Sequence, residues 1–433
     1  MIGAGLAGSE AAWQLAQRGI PVELFDMKPG EMTPAHHSAD FGELVCSNSL
    51  RSAQLSNGAG LLKEEMRRMG SLIIEAADAT QVPAGGALAV DREGFARHIT
   101  QRVCAHPLIE VNSNRIDSVP EGPCIVATGP LTAPALAQAI ARLLGMEMLS
   151  FYDASAPIVT CDSIDMSKAF RAARYGKGDA DYINCPMDEA EYRAFYQALV
   201  GAETVPVHEF EENKVFEGCM PIESIARRGE QTMAYGPMRP VGLRDPRTDR
   251  RPYAVVQLRQ DDAAGTLCNL VGFQTRLTHP EQKRVFSMIP GLENASFVRF
   301  GVMHRNTFIH APGCLTEHYQ CRNNPDLFFA GQLAGVEGYG ESTASGLIAG
   351  LAMAARLLGL PLPGFTAQTM MGAMSAYVSN SALTKLEPMN ANFGLLVPME
   401  EKWKKNQVRE KQAERALKVI ENLRMQYPIL AER

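Results

Sequence analysis

The sequence predicts an α/β protein in which a dinucleotide-binding sheet is supplied by both ends of the chain and interrupted by a smaller mixed α/β domain. Three observations carry this. Gly3-Ala4-Gly5-Leu6-Ala7-Gly8 reads G-x-G-x-x-G, opens a helix-like run over 9–18, and is followed by an apolar run that ends in an acid, Asp26. Residues 123–129 and 327–332 each read as a buried strand ending in a glycine turn, one near each end of the chain. Between about Phe151 and Arg299 the pattern changes to short strand-like runs broken by Gly and Pro.

Each part of the first motif has a physical task. Gly3 permits the tight turn, Gly5 lets a pyrophosphate approach the backbone, and Gly8 lets the helix lie against the strand. With Ala4, Leu6 and Ala7 between them, the helix N-terminus offers free N–H groups to phosphates. Asp26 stands at about the expected distance of roughly 20 residues and can accept a hydrogen bond from an adenosine ribose. The strand ahead of such a turn is typically about five or six residues long. Only Met1 and Ile2 precede Gly3, so a natural start upstream of Met1 is expected.

A polar, irregular stretch follows over 28–50, and 61–75 has helical spacing. Residues 131–144 read as a helix after the second strand. Late in the chain, 338–346 leads into an apolar helix over 347–358, before a Pro-rich break at 361–363. The tail, 400–427, spaces Trp403, Leu417, Ile420 and Leu423 among basic residues, as an amphipathic helix does. The expected division is 1–150 and 300–433 for the two parts of the nucleotide domain and 151–299 for the insertion. Flavoproteins of the glutathione-reductase type are built this way, which favours FAD over NAD as the tightly bound cofactor.

Composition excludes several classes. A chain of 433 residues suggests two or three domains. Hydrophobic content of 46% with 21% charged residues reads as soluble and globular. No apolar run reaches the roughly 18 residues of a membrane span, and no secretory leader is visible. The nine cysteines are scattered without a C-x-x-C pair, which argues against a metal site and for a reduced, cytoplasmic compartment. The net charge of −6 argues against a generic nucleic-acid binder. Yet Arg227, Arg228, Arg239, Arg244, Arg247, Arg250, Arg251 and Arg259 face only Glu230, Asp245 and Asp249, and the tail adds a second basic group. Such patches can bind a polyanion such as RNA; a solvated surface explains each equally well.

Two cysteines stand in contexts suited to chemistry. Cys46 lies in Glu43-Leu44-Val45-Cys46-Ser47-Asn48-Ser49-Leu50, where small polar residues follow it, with His36 nearby in sequence. Cys219 lies in Phe216-Glu217-Gly218-Cys219-Met220-Pro221-Ile222-Glu223, with a bend on either side and Arg227 and Arg228 beyond. Burial is the simpler reading of each taken alone, and Cys124, Cys161 and Cys268 read as core residues.

The stretches GAGLAGSEAAW, TPAHHSADFGELVCSNSL, FYDASAPIV, FEGCMPIE, GPMRPVGL, the long run beginning RPYAVVQLRQDD, GVMHRNTFI, FFAGQLAGVEGYGES and MNANFGLL span most of residues 3–398. In them the sequence resembles the TrmFO family, the folate- and FAD-dependent tRNA uracil-5-methyltransferases. The GidA-type wobble-uridine enzymes share the first glycine motif but lack the FEGCMPIE context. The resemblance implies methylation of uridine-54 in the T-loop of tRNA. The carbon comes from 5,10-methylenetetrahydrofolate, reduced FAD serves as reductant and methylene carrier, and NADPH or NADH regenerates the flavin. By motif, Cys219 matches the cysteine that attacks uracil at C6. Cys46 matches a second functional cysteine, for which removal of the C5 proton is one role. Tyr339 matches a tyrosine near the flavin, and Gly331, Gln332, Ser342, Thr343 and Ala344 are expected to approach the flavin by backbone. Asn390, Asn392 and Phe393 form a family motif with no task that the residues reveal.

The chemistry asks for such residues independently. C5 of uracil is a poor nucleophile, and thiolate addition at C6 makes it enolate-like; a base must then take the C5 proton. Extracting the base from its stack costs a few kcal/mol, which phosphate contacts at Arg227, Arg228, Arg244, Arg247, Arg250 and Arg251 would offset. Three rivals stay open: a plain FAD oxidoreductase acting on a small molecule, an RNA binder with a structural flavin, and the same chemistry on ribosomal RNA.

Overall fold

The computed structural model describes the chain except residues 34, 147, 177–178, 207–219, 405–406 and 431–433, and gives 151–153 and 304–305 by backbone alone. Cys219 therefore lies outside the described residues.

The main sheet forms from short runs that are far apart in sequence. Val22–Phe25 pairs in parallel with Ile109–Asn112, and Cys124–Val126 pairs in parallel with Asn324–Phe329. Ile2 joins the two pairs, bridging Phe25 on one side and Val126 on the other. Ile2 N–H donates to the Ile125 carbonyl (3.0 Å), Ala127 N–H to the Ile2 carbonyl (2.8 Å) and Gly3 N–H to the Phe25 carbonyl (2.7 Å). The position before Gly3, where a strand is expected, is thus central in this sheet, and Met1 adds to it by accepting from Phe25 N–H (2.9 Å).

The helix Leu6–Ala16 leaves this point and is buried along its whole length. It packs on the helix Tyr339–Leu358, and glycines bring the two backbones together. A Cβ on Gly346 would lie 2.2 Å from the Ala7 carbonyl oxygen, and one on Gly350 would lie 2.9 Å from the Ala11 Cα. This explains a departure from the sequence reading. The helix begins at Tyr339 rather than at Leu347, so it takes in most of the glycine-rich run 338–346, and Gly346 serves helix packing. A second departure is the expected helix over 61–75. It is two helices, Gly58–Arg68 and Leu72–Ala79, broken where Gly70 takes φ +70° and Ser71 caps the second by accepting from Ile74 N–H. In the tail, the helix is Val408–Gln426 with Leu417, Ile420 and Leu423 buried, and Trp403 lies outside it.

The chain enters and leaves the insertion through one antiparallel pair, Leu149–Ala154 with Met303–Phe308. Within it, six antiparallel strands run in the order Phe297–Arg299, Ile158–Thr160, Leu267–Leu270, Ala254–Gln260, Tyr182–Met187, Phe170–Arg171. Its core is separate from that of the rest: one cluster spans Val159 to Ala295, while the other combines residues before Leu144 with residues after Phe308. Cys161 and Cys268, expected as core thiols, are instead joined in a disulfide: Cys161 follows the strand Ile158–Thr160 directly, and Cys268 lies in its neighbour Leu267–Leu270. Among the described residues no helix is long and apolar enough to cross a membrane.

Buried carboxylates brace the helix ends. Glu10 accepts from Ser71 Oγ (2.6 Å) and Ile73 N–H (3.1 Å), and Glu65 accepts from Met370 N–H (2.7 Å) and Met371 N–H (2.8 Å). Each thus satisfies free donors at a helix N-terminus. Burial pushes the Glu65 carboxyl up to about 8, although its two backbone partners pull it down. A carboxyl raised in the fold stabilises fully below its ordinary value of 4.5, and that contribution is lost as pH climbs through about 8. Glu65→Gln is neutral at every pH, so it should flatten the fall of Tm between about pH 5 and pH 8. A fall as steep as that of the unmodified protein would mean that another group is responsible.

Candidate functional site

A cleft opens where the two parts of the nucleotide domain meet. Gly3, Gly5, Leu6 and Ala7 form one wall, Gly331, Gln332, Tyr339 and Ser342 another, and Asp26 stands at the rim. The remaining expected cofactor residues lie behind these walls. Ala4 is fully buried, Gly8 packs beneath Gly3, and Thr343 and Ala344 are buried in the long helix.

The glycines differ in what surrounds them. A Cβ on Gly8 would fall 1.8 Å from the Gly3 carbonyl oxygen, so Gly8 is needed for packing. A Cβ on Gly5 would meet nothing within 4 Å, because it would project into open space. Gly5 is also the N-cap of Leu6–Ala16 and supplies no side-chain acceptor, so donors at this helix end face the cleft uncapped. The long helix repeats the arrangement, with Gly338 as its N-cap at φ +113°. Two uncapped helix N-termini on one cleft suit a ligand with a pyrophosphate and a second polar part, as a dinucleotide has. Asp26 has a second task that sequence does not reveal: its carboxylate accepts from Ala4 N–H (2.7 Å) and Lys28 N–H (2.9 Å), fixing the loop it faces.

Other lining residues were not foreseen. Thr128, Gly129 and Leu131 follow the second strand, and Asn114 to Ile116 come from the loop after the strand Ile109–Asn112. The glycine turn at Gly129 was the visible signal for the first group; the second had none. His36 lines the cleft but bonds Thr33 Oγ1 (2.6 Å), and burial and the nearby Lys28 push its pKa down. Asn390 and Asn392 support the long helix end. Asn390 Nδ2 donates to the Glu337 carbonyl (2.8 Å), Asn392 caps the turn at Phe393, and the intervening Ala391 N–H donates to Glu341 (2.9 Å).

Cys46 is half-buried beside this cleft, on a loop held from several elements. Tyr339 connects the two: it lines the cleft, and its hydroxyl oxygen accepts from Cys46 N–H (2.8 Å) and Ser47 N–H (3.2 Å). Burial, and after it the Cys46 sulfur, pushes the Tyr339 hydroxyl well above its ordinary range, so it stays protonated. Arg259, from the insertion, donates to Ser47 Oγ (2.8 Å) and Asn48 Oδ1 (3.0 Å). Arg92 donates to the Leu44 carbonyl and pairs in bidentate fashion with Asp261 (3.0 Å to each oxygen). Arg92, Arg259 and Asp261 are all buried.

Arg227, Arg228, Arg244, Arg247, Arg250 and Arg251 are exposed on the insertion. Arg247 is held by Asp245 (2.7 Å) and the Ser167 carbonyl (2.7 Å), and Arg244 by the Asp249 carbonyl (3.0 Å). Arg259, counted in the same basic run, is spent inside on the Cys46 loop. Among the described residues no group of His, Cys, Asp and Glu could hold a metal ion.

Fold and site together define a two-part dinucleotide-binding protein with an insertion. The family model "Glucose inhibited division protein A" matches residues 1–361. The fold is that of Aquifex aeolicus GidA, with a TM-score of 0.71 at 16% identity over 99% of this chain and 77% of that one. A protein of Listeria monocytogenes serotype 4b is 58% identical over 424 residues, covering 98% of each chain. One of Heliobacterium modesticaldum is 57% identical over 434 residues, covering 100% of this chain and 99% of its own. Both relatives are named methylenetetrahydrofolate--tRNA-(uracil-5-)-methyltransferase TrmFO. The chain belongs to the TrmFO family, within the wider GidA group.

The two glycines give opposite expectations. Gly5→Val should cut bound dinucleotide at least ten-fold, measured as nucleotide released on denaturation, while costing about 1 kcal/mol of stability or less. Gly8→Ala should cost about 2–3 kcal/mol, read as a lower Tm, because backbone must move. Equal nucleotide content in Gly5→Val and unmodified protein would remove the cleft from dinucleotide binding.

Proposed function

We propose that this protein methylates C5 of uridine-54 in the T-loop of tRNA, with 5,10-methylenetetrahydrofolate as carbon donor, FAD in the cleft, and NADPH or NADH as electron source. One observation carries the reading. A chain 57–58% identical to the TrmFO relatives places Cys46 beside a dinucleotide cleft, its loop tied to the cleft wall by Tyr339.

Gly3, Gly5, Leu6 and Ala7 hold the pyrophosphate, Asp26 the ribose, and Gly331, Gln332, Tyr339 and Ser342 the flavin half. Once bound and reduced by NADPH or NADH, the flavin would supply the reducing electrons and carry the methylene that the folate donates. Cys219 adds through sulfur to C6 of uracil, which makes C5 a nucleophile. Cys46 is the group set to take the proton that leaves C5, and the Tyr339, Arg259 and Arg92 contacts fix its loop for that task. Residues 1–150 and 300–433 hold the cofactor, and 151–299 face the RNA. There Arg227, Arg228, Arg244, Arg247, Arg250 and Arg251 grip phosphates. No metal takes part, and the place of action is the cytoplasm, where tRNA and reduced nicotinamide meet.

Purified protein with tRNA transcript and NADPH is expected to form 5-methyluridine only when methylenetetrahydrofolate is added. Equal product without folate would overturn the carbon source. Cys46→Ala and Cys219→Ala should each lower the rate at least a hundred-fold while the flavin spectrum of the bound cofactor persists. Normal turnover by either variant would remove that cysteine from the mechanism.

A further inference from the structure

We propose that a pocket on the insertion, outside the dinucleotide cleft, binds one unpaired nucleotide of the RNA substrate by stacking. This rests on the RNA reading above. The starting observation is a column of three near-parallel rings. His279 and Phe300 stack at 4.6 Å with 15° between planes, and Phe300 and Phe297 at 5.5 Å with 9°. Among the described residues the other aromatic pairs lie tilted or edge-on: Phe195 with Phe273 at 42°, Tyr192 with Tyr253 at 52°, Phe273 with Phe286 at 73°, Trp13 with His106 at 79°. Those are ordinary geometries of aromatic packing. A coplanar column that reaches the surface is the arrangement onto which a base can stack. His279 is exposed, and Phe297 and Phe300 are half-buried.

A surface pocket adjoins the column, with Phe297 and Phe300 in its wall beside Lys283, Ser287, Asn294 and Ser296. This set serves a nucleotide part by part. The rings take the base, the serines and the asparagine reach its polar edges, and Lys283 takes the phosphate. Lys283 is exposed and has no ion-pair partner among the described residues. Glu293 also borders the pocket, but its carboxylate is held by Lys168 (2.7 Å) and Gly291 N–H (2.9 Å).

The platform is fixed before any ligand arrives. The buried Gln282 locks the helix His279–Phe286 to the chain after Phe300: its Nε2 donates to the Leu277 and Gly301 carbonyls (2.8 Å each), and its Oε1 accepts from Gly301 N–H (2.8 Å). The segment that carries the rings also touches the cleft lining: Arg299 lies between Phe297 and Phe300 in sequence and reaches 4.0 Å from Glu43, a residue of the cleft lining. In the proposed arrangement one RNA molecule presents its target base to the cleft and sets another unpaired base here. Arg244 and Arg247 are already held by Asp249 and Asp245, so a stacking anchor adds what those arginines do not supply.

The test uses the FAD-loaded full-length protein, a tRNA transcript, and three variants: Lys283→Gln, His279→Ala and Phe297→Leu. The first two change exposed side chains, and thermal melting reports whether the third keeps its fold. Expected is a rise in KM for tRNA of about ten-fold in Phe297→Leu, the end ring of the column that faces the pocket, and less in the others, with kcat within about two-fold of the unmodified enzyme. Transcripts carrying 4-thiouridine at unpaired positions are expected to cross-link to the peptide holding Phe297 and Phe300. Unchanged KM in Lys283→Gln and His279→Ala together with no cross-link at that peptide would overturn the pocket while leaving the methylation reading intact. An unmodified enzyme that neither binds nor methylates tRNA would instead overturn the reading on which the pocket rests.

Discussion

The close approach of the helices Leu6–Ala16 and Tyr339–Leu358 sets the geometry of everything around the cleft. Gly346 and Gly350 allow the two backbones to touch at Ala7 and Ala11. Both helices begin at the cleft, so this contact fixes the spacing between two N-terminal ends with uncapped donors. Two sites of positive partial charge at a fixed separation are what a pyrophosphate-linked ligand reads. A methyl group at either glycine would force the helices apart and change that separation. The same contact stitches the first residues of the chain to its last third, so the nucleotide domain exists only when both are present.

The second organising feature is ionic and lies between the two cores. Arg92 and Asp261, from different sides of the junction, pair in a buried bidentate bridge, and Arg259 reaches across to Ser47 and Asn48. Desolvating such groups costs several kcal/mol per ion, and burying apolar residues instead often stabilises a fold more. What the ion pairs add is direction. A guanidinium fork accepts its partners in few orientations, so the insertion is set at one angle against the loop that carries Cys46. The thiol therefore sits on a segment whose placement depends on both parts of the molecule.

Sequence revealed what local pattern can encode. The turn at Gly3, the glycine-ended strands at Val126 and Phe329, and the break in character near Phe151 are all local signals, and the family stretches added the cysteines. What it hid was set by contacts between distant residues. Nothing near Gly338 says that the helix starts at Tyr339, because Ala7 makes that glycine-rich run helical. Gly70 and Ser71 divide one periodic stretch into two helices, since Glu10 waits to receive the new N-terminus. Asp26 looked like a ribose ligand alone, yet it also holds Ala4. The asparagines at 390 and 392 made sense only once the helix end they support was in view. Cys161 and Cys268, 107 residues apart, gave no sign of pairing until adjacent strands brought them together.

The narrow neck formed by Leu149–Ala154 and Met303–Phe308 has a consequence for how the molecule is made. The strand Cys124–Val126 waits for a neighbour, Asn324–Phe329, that lies roughly 200 residues later. At ordinary ribosomal speed of about 5–20 residues per second, that wait lasts roughly 10–40 s. For this period the nascent chain carries an incomplete sheet with one apolar edge uncovered, while the insertion, with its own core, folds on the way. Closure of the neck then delivers the late strand and the long helix to the partners they need. The order of synthesis thus makes the cofactor cleft the last part of the protein to be assembled, and the early half the part most in need of protection until it is.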